Sequence, residues 1–271
     1  MQNENNWKLA LVDLDGTLYR GHEGIPGAAD FIDRLRRQGI QPVFFTNNAM
    51  RTPIEVCEKL SGFGIQSEPK EVCTSAQGAA AYLADRLPTE AEVLYVGTDA
   101  LKEALLEQGL SPNYAMPDED WQKDLEPYGN RIQAAVLGLD LSVQYKQLAV
   151  FSHYVMKLGW FVLTNGDVRL PSGKGFLPGN GSVGKLVETA SGIEPVITGK
   201  PEVPFVEYAL KRYGVRREDT VIIGDNLYTD IQAGMKAGVY SIQVRSGVQY
   251  KDHQGIAADE VYDSIEDMFL D

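Results

Sequence analysis

Short apolar runs alternate with longer amphipathic stretches along this chain, and that alternation restricts the fold more than any other feature. The run Leu9–Val12 predicts a buried strand, and the segment 28–38 predicts a helix because Phe31, Ile32 and Leu35 recur at near-helical spacing. Strands separated by helices pair in parallel through right-handed crossovers. The sequence therefore predicts an α/β protein built on a doubly wound parallel, Rossmann-like sheet.

The same alternation continues to the end of the chain. Further strands are predicted at 42–45, 92–96, 134–137, 160–163, 196–198, 221–223 and 240–244, and further helices at 52–60, 76–87, 99–108, 145–158, 204–213 and 228–237. The middle of the chain repeats the rhythm as a unit of its own and ends in a glycine-rich return over 171–181.

Charge limits the kinds of partner that this chain can have. Lysine and arginine total 25 against 38 acids, which gives a formal net charge of -13. A general nucleic-acid binder or a partner of anionic membranes needs basic patches, so both classes are disfavoured. A small anionic substrate is not excluded, since it responds to the local field of one cleft.

Two acids follow the first predicted strand directly. Asp13 and Asp15 are spaced i, i+2, so along an extended chain their side chains start out on the same face. In an open α/β sheet, ligands collect just beyond the carboxyl ends of the strands. Gly16 permits a tight turn there and exposes backbone N–H groups that can cradle an anion. Acids and glycine are also ordinary turn residues, but not usually in this string after a buried strand.

Three further segments end predicted strands with polar side chains. They are Thr46-Asn47-Asn48, then Gly199-Lys200-Pro201, and then Gly224-Asp225 followed by Asp230. Each by itself is ambiguous, because a turn, a surface lysine or a helix-capping acid explains it as well. Their order is more informative: an acid pair, a hydroxyl, a lysine and a second acid pair, each at a strand end of what we predict to be one sheet.

This order resembles the haloacid dehalogenase superfamily, and within it the NagD-like, p-nitrophenylphosphatase branch. The similarity covers about 8–75 and about 182–247, with the middle unit where that branch inserts an α/β cap. The resemblance implies a discontinuous core domain at 1–75 and 180–271 and a cap domain at 76–179. Ala49 departs from the branch, which often has serine at that position.

The resemblance also implies a mechanism. Asp13 would attack phosphorus to form an aspartyl-phosphate, and Asp15 would protonate the leaving oxygen and then activate water. Asp13, the backbone carbonyl of Asp15, and Asp225 would hold Mg²⁺, a hard cation that prefers oxygen ligands. Asp230 would support a water of the metal or Lys200. Four acids in one cleft would otherwise repel a phosphate.

The phosphoryl oxygens have a separate set of implied partners. Thr46 and the backbone N–H groups of Gly16 and Asn47 would bind them, and Lys200 would stabilise the transferred charge and pair with Asp13. The implied activity is a Mg²⁺-dependent phosphomonoester phosphatase for small metabolites such as nucleoside monophosphates or sugar phosphates, with p-nitrophenyl phosphate as an artificial substrate. The sequence does not identify the physiological substrate.

Several alternatives remain open at this point. A phosphotransferase or phosphomutase would pass the phosphoryl group to a second substrate, and a non-catalytic module would keep the fold alone. The C–halogen dehalogenases of the superfamily do not need the metal acids. The segment 179–186 nearly matches a P-loop but ends in Leu186, which has no hydroxyl for a metal, and we interpret it as the hinge from cap to core. His22, His153 and His253 are isolated, which disfavours a zinc cluster or a serine–histidine triad.

The remaining expectations concern location and assembly. Cys57 and Cys73 have no C-x-x-C partner and predict two thiols in a reducing compartment. No stretch reaches the ~20 apolar residues of a membrane span, so we expect a cytoplasmic protein that does not bind membranes. A homodimer is an expectation from the family resemblance alone.

Overall fold

The computed structural model describes residues 6–117, 119–172, 175–247 and 255–269. Within these ranges the chain forms two compact units. The first contains the described residues of 1–46, 53–73 and 200–271, and the second contains the described residues of 47–52 and 74–199. The predicted division at 75/76 and 179/180 stays a prediction about core and cap, but the compact units place 180–199 with the middle of the chain rather than with the core.

A six-stranded sheet forms the centre of the first unit. Its strands are β1 (Leu9–Val12), β4 (Gln41–Thr46), β5 (Val72–Thr74), β13 (Thr220–Gly224), β14 (Tyr240–Val244) and β15 (Glu260–Tyr262), in the spatial order β15-β14-β13-β1-β4-β5. A short hairpin, β2 (Tyr19–Arg20) with β3 (Glu23–Gly24), follows β1. The strand β1 pairs in parallel with β13 on one side and with β4 on the other. The strand order therefore reverses at β1, the position where open α/β sheets bind ligands.

Helices cover both faces of this sheet. They are α1 (Ala28–Arg37), α2 (Pro53–Ser61), α7 (Val203–Tyr213) and α8 (Gln232–Ala237). Ala10 and Val12 of β1 pack in the cluster that includes the apolar face of α1, whereas Leu9 and Leu11 pack in the cluster that includes α7. All four are completely buried. A strand that is apolar on both faces is typical of a parallel sheet with helices on each side, and this confirms the predicted fold class.

The second unit is a five-stranded sheet with its own helices. The strands are β6 (Glu92–Val96), β7 (Ser111–Tyr114), β8 (Ala134–Leu137), β9 (Val162–Leu163) and β12 (Val196–Ile197), in the order β12-β9-β8-β6-β7, and all are parallel. The helices are α3 (Ser75–Ala84), α4 (Asp99–Glu107), α5 (Tyr145–Leu158) and α6 (Asn180–Ser191), and a hairpin of β10 (Arg169–Ser172) and β11 (Gly175–Pro178) precedes α6.

Two expectations about this part of the chain were wrong. The strand before Lys200 does not belong to the first sheet, because Val196 and Ile197 pair with Val162 and Leu163 of β9. The segment 179–186 is neither a P-loop nor a hinge, since helix α6 begins at Asn180 and lies within the second unit. A two-residue strand carries too little pattern to indicate which sheet it joins.

Candidate active site

The first acid of the site is fixed by the sheet itself. Asp13 follows β1, and its backbone N–H donates to the carbonyl of Ile223 at 2.8 Å, which extends the parallel ladder with β13 by one residue. This places the Asp13 side chain at the carboxyl end of the two central strands. Its Oδ1 lies 2.6 Å from Nζ of Lys200.

Lys200 is buried in a nest of acceptors. Its side chain is 2% exposed, and its ammonium donates to Asp13 Oδ1 at 2.6 Å, to Asp230 Oδ1 at 2.7 Å and to the carbonyl of Phe45 at 3.0 Å. Burial opposes its charge, but the two carboxylates more than offset this and raise the pKa of Lys200 above its usual value. The lysine is thus a permanent cation whose three protons all have acceptors.

The second acid pair follows β13. Asp225 and Asp230 are both buried. Asp230 uses its second oxygen to accept the N–H of Asn226 at 3.1 Å, so both of its carboxylate oxygens are engaged by this chain. Asp225 accepts the hydroxyl of Thr17 at 3.5 Å. Asp230 lies in a π-helical turn over Leu227–Ile231, which precedes α8 where the sequence predicted a regular helix from Tyr228.

Three glycines leave room for these carboxylates. A Cβ on Gly16 would lie 2.5 Å from Oδ2 of Asp225, and a Cβ on Gly247 would lie 2.0 Å from the same atom. A Cβ on Gly224 would lie 2.3 Å from Cγ of Asp230. Gly16 also has a φ of 93°, a conformation that favours glycine. Larger side chains at these positions would displace the acids.

The carboxylates outnumber the cation. Asp13, Asp225 and Asp230 each offer one oxygen, and these oxygens all lie within 4.8 Å of one another. Burial raises the pKa of Asp13 well above its usual value, the charges of Asp230 and Asp225 add to that rise, and Lys200 opposes it. Three hard oxygen donors around one ammonium leave an excess of negative charge, which is the donor set that suits a divalent cation such as Mg²⁺. The residues present therefore fit a metal.

Asp15 has a different environment. It is exposed, and burial of part of its side chain raises its pKa, whereas the charge of Lys59 and a hydrogen bond from the backbone of Gly21 oppose the rise. The N–H of Gly16 is already bonded to the carbonyl of Tyr19 at 2.7 Å. The predicted binding of a phosphoryl oxygen by that N–H stays a prediction.

The hydroxyl and amide of the second motif fall in different units. Thr46 is the last residue of β4 in the first unit, and it is buried. Asn47 belongs to the second unit, where its side-chain amide donates to Asp167 at 3.2 Å and its carbonyl accepts from Ser75 and Asn165. The first unit therefore brings together Asp13, Lys200, Asp225 and Asp230, and Asn47 is fixed separately.

Sequence reasoning missed several supports of this cluster. The carbonyl of Phe45, the hydroxyl of Thr17 and the close approach of Gly247 carry no pattern that distinguishes them. The pair Gly224-Asp225 does carry such a pattern, since a glycine directly before an acid at a strand end indicates that another group comes close to the backbone there. Of the predicted isolated histidines, His153 pairs with Glu126 at 2.9 Å, and His253 lies outside the described residues.

Comparison with known protein families shows which family this chain belongs to. The model of the haloacid dehalogenase-like hydrolases matches residues 10–111, and a second, HAD-hydrolase-like model matches 197–268. The chain belongs to the haloacid dehalogenase-like hydrolases. The two matched segments contain all eight predicted site residues, and the NagD-like resemblance is confirmed.

Individual members of this superfamily are similar over nearly the whole chain. An acid sugar phosphatase of Staphylococcus epidermidis is 38% identical over 250 residues, which cover 92% of this chain and 91% of the relative. The structure of a thermostable p-nitrophenylphosphatase (NPPase) from Geobacillus stearothermophilus, a double mutant, has a TM-score of 0.85 and 34% identity, covering 97% of this chain and 98% of that one.

A third similar protein was solved with a metal. The glycerol phosphate phosphatase of Mycobacterium tuberculosis in complex with magnesium has a TM-score of 0.87 and 31% identity, covering 98% of this chain and 77% of that chain. Together the relatives establish that this haloacid dehalogenase-like hydrolase is a phosphatase. Its acid cluster fits the metal dependence of the family.

Proposed function

We propose that this phosphatase hydrolyses phosphomonoesters of small metabolites in a Mg²⁺-dependent reaction through an aspartyl-phosphate on Asp13. The observation that supports this most strongly is the buried contact of Lys200 with Asp13 and Asp230 beside Asp225. One carboxylate at the strand end is thereby held next to a fixed cation, which is the arrangement that a nucleophile for an anionic phosphate requires.

The proposed metal ligands are three oxygen atoms of this chain. Asp13, Asp225 and the backbone carbonyl of Asp15 would hold Mg²⁺. When bound, Mg²⁺ neutralises charge on the transferred phosphoryl group and on the attacking carboxylate. Asp230 has both oxygens engaged by Lys200 and by the N–H of Asn226. We therefore assign Asp230 to orienting Lys200 rather than to binding the metal directly.

The chemistry proceeds in two displacements. An oxygen of Asp13 forms a bond to phosphorus while the bond to the leaving oxygen breaks, and Asp15 donates a proton to that oxygen. Water then attacks phosphorus, Asp15 accepts its proton, and the Asp13–phosphorus bond breaks to release phosphate. The charge of Lys200 would stabilise the phosphoryl oxygens, and Thr46 and the N–H of Asn47 would bind them. The N–H of Gly16, which is bonded to the carbonyl of Tyr19, would have to change its partner to join them. Most of the rate enhancement comes from positioning and electrostatics, as in phosphoryl transfer generally.

The substrate class is proposed from the relatives, and the partner that we do not expect is inferred from the net charge of the chain. Sugar phosphates and nucleoside monophosphates are the candidates, with p-nitrophenyl phosphate as a convenient artificial substrate. We expect no nucleic acid among the partners because the net charge is -13. A panel of phosphomonoesters ranks the candidates by kcat/KM, and light scattering of the purified protein tests the expected homodimer.

Substitution of the nucleophile tests the proposal. Asp13→Asn should lower Mg²⁺-dependent turnover of p-nitrophenyl phosphate on the order of 10⁴-fold or more, because an amide cannot form the acyl phosphate. Asp140→Asn, an isosteric change at a strand end of the second unit, is the matched control and should keep turnover near that of the wild type. Circular dichroism checks that both variants fold. Substantial turnover by Asp13→Asn, or none by the wild type with Mg²⁺, would refute the proposal.

A further inference from the structure

A stacked arrangement of three side chains joins helix α2 to the hairpin that follows β1. The Tyr19 ring, in β2, stacks on Phe63 with centroids 5.1 Å apart and an interplanar angle of 27°. Nζ of Lys59, in the last turn of α2, lies 3.7 Å from the centroid of the same ring. Tyr19 is buried, so its ring is held from two sides.

Tyr19 in turn closes the turn that carries Asp15. Its carbonyl accepts the N–H of Gly16 at 2.7 Å, and its own N–H donates to the carbonyl of Leu14 at 3.2 Å. Asp15 and Tyr19 also form a backbone bridge. Two backbone hydrogen bonds thus connect the residues on either side of Asp15 to Tyr19 and hold the Asp15 turn against it.

The same hairpin and the same lysine also affect the Asp15 carboxyl. Burial raises the pKa of Asp15, and the charge of Lys59 and a hydrogen bond from the backbone of Gly21, in the turn between β2 and β3, oppose that rise. Lys59 therefore reaches Asp15 through the ring of Tyr19, whose backbone closes the turn that carries Asp15. Neither Lys59 nor Tyr19 belongs to the motifs that the sequence analysis identified.

We propose that Lys59 is a positioning residue for Asp15, which with Tyr19 and Phe63 holds that carboxyl in the orientation needed to protonate the leaving oxygen. This inference rests on the proposed role of Asp15 as the general acid. The proton moves from the Asp15 carboxyl to the ester oxygen as the phosphorus–oxygen bond breaks, and Lys59 keeps its own protons. A misplaced acid penalises substrates in proportion to how much their leaving group needs the proton.

Substrates whose leaving groups differ in basicity distinguish a positioning role of Lys59 from a purely structural one, because a structural role would not change the ratio of their kcat/KM values. The probes are p-nitrophenyl phosphate, whose leaving group departs readily as an anion, and phenyl phosphate, whose leaving group needs protonation more. The quantity to compare is kcat/KM, because it covers steps only up to the departure of the leaving group, whereas the later hydrolysis of the acyl phosphate is common to both substrates.

Three variants make the comparison specific. Lys59→Met removes the charge and keeps the stem, and it should lower kcat/KM for phenyl phosphate about 10-fold more than for p-nitrophenyl phosphate, a fraction of what a general acid contributes. Lys59→Arg keeps a cation that can lie over the ring and should restore the ratio of the two substrates. Lys70→Met, which removes an exposed lysine paired with Glu68, is the control and should leave both values unchanged.

The possible outcomes separate this inference from the proposed function. An equal loss for both substrates in Lys59→Met, or no loss, overturns the positioning role while Asp13→Asn stays inactive. Failure of Lys59→Arg to restore the ratio also overturns it. If Asp13→Asn is active in the same assay, the proposed function fails first. A thermal melt of each variant, expected to match the wild type within a few degrees, shows that the differences do not come from unfolding.

Discussion

The two units are built on the same plan, yet their strand-end acids are in opposite electrostatic situations. Asp13 follows β1 of the first sheet, and Asp140 follows β8 of the second by three residues. Burial and neighbouring carboxylates raise the pKa of Asp13. Burial also opposes ionisation of Asp140, but hydrogen bonds from Ser142 and Tyr114 outweigh it and lower the pKa of Asp140.

The difference lies in which groups surround the carboxylate. Asp140 accepts the hydroxyl of Tyr114 at 2.6 Å, and the N–H and hydroxyl of Ser142 at 2.8 and 2.6 Å. These donors are neutral. Ser142 lies two residues away and Tyr114 lies in β7, so the carboxylate joins its own loop to that strand. Asp13 instead lies against Lys200 and close to two further acids, an arrangement that fits the proposed binding of a divalent cation and a phosphate. Two parallel sheets of one chain thus carry an acid held by neutral donors and an acid for which we propose a catalytic role.

Removal of Lys200 should have the largest effect, and it tests the contrast between the two units. In Lys200→Met, Asp13 and Asp230 lose their shared cation, and breaking a buried pair in this way should lower the free energy of unfolding of the metal-free protein by about 3 kcal/mol. Turnover should fall about 10²–10³-fold because a fixed charge on the transferred group is lost. Denaturant titration with a chelator and steady-state kinetics with Mg²⁺ measure the two effects.

The matched change in the second unit is Lys157→Met, which removes a lysine held by Glu126 and Asn130 at the surface. Solvent screens this pair, so stability and turnover should change far less. Equal losses in the two variants would contradict the contrast between the units.

A smaller effect of opposite sign is expected at Asp225. In the metal-free protein its charge raises the pKa of Asp13, so Asp225→Asn should lower that pKa and raise the free energy of unfolding by about 1.4 kcal/mol for each pKa unit recovered. The sign follows from proton binding. Between the ordinary and the raised pKa of Asp13, the folded state binds more protons than the unfolded state, so stability falls as pH rises through this window.

The same Asp225→Asn variant should need a higher Mg²⁺ concentration for activity, since it loses a proposed ligand. Unfolding curves from pH 4 to 8 in chelator, together with Mg²⁺ titrations of turnover, measure both effects. A variant that is less stable without metal, or that keeps the wild-type Mg²⁺ requirement, would speak against the assignment of Asp225.

The smallest effect is expected in the second unit. Tyr114→Phe removes one neutral donor from Asp140, so it should lower the free energy of unfolding by about 1 kcal/mol and leave kcat/KM for p-nitrophenyl phosphate unchanged. Thermal unfolding and kinetics of the same preparation check this. A loss of activity larger than the loss of stability would mean that the Tyr114–Asp140 pair contributes to turnover.

The sequence predicted which acids and which lysine come together in the first unit better than it predicted the organisation of their surroundings. The acids at 13, 225 and 230 and Lys200 could be found because each directly follows an apolar strand or occupies the first turn after one. The assignment of β12 to the second sheet could not, because two residues, Val196 and Ile197, fit either sheet equally well.

Other features depend on long-range packing and left no local signal. Most of the near-match to a P-loop at 179–186 lies in helix α6, and Val187 of the same helix packs in the core of the second unit. The contact of Lys59 with Tyr19 joins positions 40 residues apart and follows no motif.

Among the described residues, no helix combines the length and the apolar character that crossing a membrane requires.

Chemical trapping of the intermediate tests the central claim most directly. The enzyme is mixed with Mg²⁺ and p-nitrophenyl phosphate, quenched during turnover, reduced with borohydride and analysed by peptide mass spectrometry. Borohydride converts an aspartyl-phosphate to homoserine, so the phosphorylated position is recorded in the chain. The account predicts conversion at Asp13 that depends on substrate, with none at Asp15 or Asp140. Conversion at a different acid, or rapid turnover with no converted position, would contradict it.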